Sequence, residues 1–90
     1  MVIEIVEKYK SFLVRLVSSY RRGLIGKEEL YDALACDDNL RYLERSLSFL
    51  FLNQYSPKKV AKLLNIDEDV VVAYFEKFRY ERSRIERVIR

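Results

Sequence analysis

Breaker residues are almost missing from this sequence. Gly23, Gly26 and Pro57 are the only glycines and proline in 90 residues. A many-turned β fold needs far more punctuation, so the chain is constrained to a few long elements. Between the breaks, apolar residues recur at steps of three and four, the period of one helical face. Half the residues are hydrophobic, enough for one small core at this length. The expectation is all-α: a single compact bundle of about five helices over residues 1–90.

The first helix is expected from about Ile3 to Arg22. Its inward stripe is Ile5, Tyr9, Phe12, Leu13, Leu16, Val17 and Tyr20. Arg21 and Arg22 suit the negative end of its dipole, and Gly23 suits a left-handed stop. "GKEELYDALAC" reads as a short second helix with Leu30, Ala33 and Leu34 inward. Asp37 or Asp38 caps a third, carrying Leu40, Leu43, Leu47, Leu50 and Phe51. Its end, "LSFLFL", is apolar nearly all round and predicts a central position. Ser56 and Pro57 open a fourth helix as N-cap and first residue. Val60, Ala61, Leu63 and Leu64 form its stripe, and Asn65 supplies the left-handed stop. Asp67 caps a fifth helix reaching towards Arg90.

Residues 57–76, "PKKVAKLLNIDEDVVVAYFE", resemble the helix-turn-helix family. Ala61 stands where the family places a small residue under the second helix. Asn65 replaces the usual glycine of the turn. Val60, Leu64, Ile66, Val71 and Tyr74 match the apolar positions. The resemblance implies a trihelical unit over residues 39–80, an N-terminal helical pair over 1–36 outside it, and a basic extension over 81–90. By analogy it suggests a small archaeal or viral accessory protein of DNA transactions.

In a DNA-bound member of that family, the start of the second helix meets base edges while the first approaches the backbone. The matching residues here are Glu68, Asp69, Val72 and Ala73, none of the purine-reading types. Asp67, Glu68 and Asp69 instead suit a helix start, as cap and dipole partners. Val72 and Ala73, if outward, suit a small apolar protein contact.

Phosphate contact is assigned elsewhere. Residues 1–56 hold eight basic and eight acidic side chains, whereas 57–90 hold nine and six. Lys58, Lys59 and Lys62 on the fourth helix, and Lys77, Arg79, Arg82 and Arg84 on the fifth, are the candidate nucleic-acid contacts. Arg87 and Arg90 continue that charge; a solubilising face is the plain alternative. Ile85, Val88 and Ile89 extend an apolar stripe beyond the trihelical unit. They either pack on the first helix or form a docking strip for another chain or a second copy.

Catalysis has little to stand on. There is no His and only one Cys, so nucleophile–base pairs and zinc sets lack their usual members. No phosphate-cradling glycine loop exists. "CDDN" and "DED" offer adjacent carboxylates, but at positions that need helix caps. Cys36 is expected to pack as a small apolar residue. No catalytic residue, metal or cofactor is assigned. A single cysteine and no membrane-length apolar run point to a cytoplasmic protein.

The expected function is that of a non-enzymatic accessory protein of DNA-processing machinery, in replication or transcription. It docks on a protein partner and holds a basic surface near double-stranded DNA. The alternatives are a regulator binding operator DNA directly, as a homodimer, and a protein-interaction module without nucleic acid.

Overall fold

Five helices, and no strand, make up the described chain: α1 (Val2–Arg21), α2 (Lys27–Ala33), α3 (Asp38–Leu52), α4 (Pro57–Leu64) and α5 (Glu68–Ile89). The computed structural model describes residues 2–89, with side chains as far as Ile85. The radius of gyration is 12.8 Å, close to the roughly 12 Å of a packed domain this long.

Three helices end by one device. After α1, Leu24 N–H donates to the Ser19 carbonyl and Gly23 N–H to that of Tyr20, with Gly23 at φ 77°. After α3, Tyr55 N–H reaches Leu50 and Gln54 N–H reaches Phe51, with Gln54 at φ 65°. After α4, Ile66 N–H reaches Ala61, with Asn65 at φ 53° and ψ 46°. Each pattern satisfies carbonyls that a helix end leaves without partners. Gly23 and Asn65 match the sequence expectation. Gln54 does not, because a glutamine gives no local sign of a left-handed position.

The caps also follow the sequence. Asp37 accepts from Leu40 N–H at 2.8 Å, and Ser56 accepts from Lys59 N–H at 3.2 Å. Asp37 additionally accepts the Tyr9 hydroxyl at 2.5 Å, which fastens the start of α3 to α1.

The central helix is α5, not the end of α3. Helix α5 packs against α1, α3 and α4, and it buries Val70, Val71, Ala73, Tyr74, Phe75 and Phe78. Phe51 joins this core through Phe75 and Phe78, at ring separations of 5.1 and 5.6 Å. The Tyr74 hydroxyl donates to the Leu34 carbonyl at 2.7 Å, tying the end of α2 to α5.

Several expected inward residues point outward. The end of α3 meets α5 on one side only, so Phe49 and Leu52 are 66% and 64% exposed. Leu63 lies off the Val60–Ala61–Leu64 side by which two-turn α4 rests on its neighbours, and it is exposed, as is much of Phe12. Ile85 stands beyond the core at 59% exposure rather than packing on α1. Cys36 is exposed, in the short joint between α2 and α3.

Candidate nucleic-acid and partner surfaces

The α4 lysines stand where local chemistry puts them. Ser56 and Pro57 fix the helix start, and buried Val60 fixes its rotation. Lys58, Lys59 and Lys62 then face solvent. None has a carboxylate within ion-pair distance among the described residues. The Lys59 ammonium lies 5.1 Å from the centre of the Tyr55 ring, an attraction that leaves its charge unneutralised.

The cations of α5 do not form one face. Lys77 must be removed from the phosphate-binding set. It is buried, and its ammonium is bonded to Glu44 of α3 and to Glu81 one turn along α5. The reason is the width of the buried arc on α5, which takes in position 77 together with Ala73 and Tyr74. Arg79, Arg82 and Arg84 are exposed, but Arg82 and Arg84 lie on opposite sides of the helix. Arg82 borders a groove against α3, while Arg84 borders a cleft against α2. The Arg84 guanidinium and the Lys27 ammonium both approach the Tyr80 ring, at 5.7 and 4.5 Å.

The acids opening α5 have structural partners. Asp67 Oδ1 accepts from Asp69 N–H at 2.9 Å. The Asp69 carboxylate pairs with Arg21 from the end of α1 at 3.0 Å. Both partners are half exposed, so the pair adds little stability by itself. Its geometric consequence is larger: the end of α1 lies beside the start of α5, forming a pocket lined by Val14, Ser18, Arg21, Arg22, Asp67 and Asp69. Of the two residues assigned to an outward apolar contact, Val72 is half-buried. Ala73 is buried against the core, which corrects its placement at a partner surface. A small side chain there lets neighbouring elements approach the central helix.

Apolar surface does occur at the far end of α5. Phe51, Leu52, Phe78 and Ile85 line an open groove of about 470 Å³, edged by Ser48, Glu81 and Arg82. Ile85 therefore belongs to an open strip. The side chains of Val88 and Ile89, like those of Arg87 and Arg90, lie outside the described residues.

A feature that the balance of residues 1–56 conceals is the alternation of charge in blocks. Residues 8–27 contain six cations and no acid; residues 28–44 contain six acids and one cation. Residues 45–66 then contain four cations, Arg45, Lys58, Lys59 and Lys62, and no acid. Averaging over half the chain cancels these blocks. The exposed members of the first block include Lys10 and Arg15 on α1 and Arg22 just after it, none of which enters an ion pair among the described residues. A running charge window, not a count by halves, finds them.

Among the described residues no group of three or more His, Cys, Asp or Glu is arranged to hold a metal ion. No described helix is long and apolar enough to cross a membrane. No protein family, curated protein or solved structure matches this chain.

Proposed function

We propose that the protein is a non-enzymatic accessory factor of DNA-processing machinery. It holds nucleic-acid phosphates on exposed cations and docks a protein partner along the α3–α5 groove. The observation that carries this reading is the acid-free stretch 45–66, whose Lys58, Lys59 and Lys62 stand exposed with no carboxylate partner among the described residues. Unneutralised clustered cations attract a polyanion and release its counterions on contact, which makes affinity fall steeply with salt. The exposed Ile85–Leu52 strip beside it supplies apolar area of the kind protein partners cover.

A helix-turn-helix regulator is the second reading, favoured by the left-handed Asn65 elbow and the Ala61 carbonyl bonded across it. The start of α5 weighs against base readout. Asp67 is engaged as a cap, Asp69 is held by Arg21, and Ala73 faces inward. Carboxylates at that position repel phosphates and leave no purine reader in place.

Fluorescence anisotropy with labelled DNA across a salt series tests the proposal. Wild type binds at about 50 mM salt and loses affinity as salt rises. Reversing Lys58, Lys59 and Lys62 to Glu abolishes binding while the helical signal persists. A wild type that binds no nucleic acid at low salt refutes the reading. Strong preference for one duplex over its scrambled version transfers support to the regulator.

A further inference from the structure

Exposed or half-buried aromatic and cationic side chains recur along α3 and into the start of α4, within or beside the acid-free stretch. On α3, Tyr42, Arg45 and Phe49 are spaced three and four residues apart, so they share one face. All three are exposed, Tyr42 by 44%. Phe49 sits one turn before the helix end, where Asn53 Nδ2 donates to its carbonyl at 2.7 Å. The chain then turns through Gln54 to Tyr55, whose ring carries the Lys59 ammonium. Tyr42 and Phe49 are separated along the axis by about 10 Å, from seven residues of helical rise.

Phe49 presents a large apolar ring to solvent, 66% exposed, and covering it is favourable. A partner protein that covered it would also have to neutralise Arg45, Lys58 and Lys59, with no acid of this chain between them. Duplex DNA neutralises those charges but offers no base face to an aromatic ring, because its bases are stacked on one another. A single strand offers both: phosphates for the cations and unstacked bases for the rings.

We propose that this face binds single-stranded nucleic acid, with bases stacking on Phe49 and Tyr42 and phosphates meeting Arg45, Lys58 and Lys59. The proposal rests on the nucleic-acid reading above and specifies the form of the ligand. Binding is sequence-tolerant, since every base has a face to stack.

The test compares a labelled oligothymidine with a duplex of equal length, measured by anisotropy with the full chain. Wild type binds the single strand more tightly. Phe49→Ala and Tyr42→Ala each weaken single-strand binding by roughly 5- to 150-fold, the span that corresponds to lost base stacking, and leave duplex binding unchanged. Phe49→Trp retains single-strand affinity. Both aromatic residues are exposed, so the helical signal stays that of wild type. Equal or tighter binding of the duplex, or an Ala variant that holds the oligothymidine like wild type, overturns this inference and leaves the broader function standing. Failure of wild type to bind either form overturns both. A Phe49→Ala variant that loses only a protein partner reassigns the face to docking.

Discussion

Removing a single oxygen atom from Tyr74 tests how the N-terminal helices are joined to the rest. Tyr74 is fully buried on α5, and its hydroxyl donates to the Leu34 carbonyl at 2.7 Å. Leu34 caps the end of α2, where helix carbonyls have no partner within the helix. Tyr74→Phe keeps the ring and its packing against Phe78 but leaves that carbonyl dry and unbonded. An orphaned buried acceptor costs about 1–3 kcal/mol. For a domain of this size that corresponds to a fall in Tm of roughly 4–8 °C per kcal/mol. In urea, followed by helical circular dichroism, the midpoint should drop with the slope unchanged.

The same residue sets an alkaline limit. Burial pushes the Tyr74 phenol far above its ordinary value, and burial also raises Tyr31. The folded pKa lies above the unfolded one. Stability is therefore intact below about pH 10 and falls as pH rises beyond it, when the unfolded chain gives up its protons first. Tyr74→Phe should show a shallower decline above pH 10. The exposed Tyr42→Phe is the control. A Tyr74→Phe loss below about 0.5 kcal/mol, or one no larger than that of Tyr42→Phe, would refute the assigned hydrogen bond.

Other substitutions test separate elements. Gln54→Gly relieves a left-handed position and should stabilise by about 0.5–1 kcal/mol, read as a higher urea midpoint. Lys77→Glu puts an acid beside Glu44 and Glu81 in a nearly closed site and should cost roughly 3 kcal/mol or more, whereas Lys58→Glu should leave the unfolding midpoint within about 0.5 kcal/mol of wild type. The Tyr9 hydroxyl and Leu40 N–H hold the Asp37 carboxyl below its ordinary range. Its contribution is thus present above about pH 4 and lost as pH falls through the lowered value. Asp37→Asn should flatten the acid side of the stability curve, measured by urea midpoints between about pH 2 and 5.

Local chemistry made much of this protein legible in its sequence. Scarce breakers and three-four spacing gave the all-helical class. Asp37, Ser56 and Pro57 marked helix starts, while Gly23 and Asn65 marked stops, because each acts on backbone groups a few residues away. The same range explains why the Asp67 cap could be anticipated. Tertiary packing decided what lay beyond that range. Which helix became central depended on how wide a face its neighbours covered: on α5 that face takes in Val70, Val71, Tyr74, Phe75 and Phe78, so Ala73 and Lys77 turned inward with them, while Phe49, Leu52 and Ile85 remained outside. Partners far along the chain, such as Tyr74 with Leu34, Asp69 with Arg21 and Lys77 with Glu44, were likewise chosen by the assembled bundle. A sequence period specifies that a helix has an apolar face, but how much of that face is covered depends on the area its neighbours present to it.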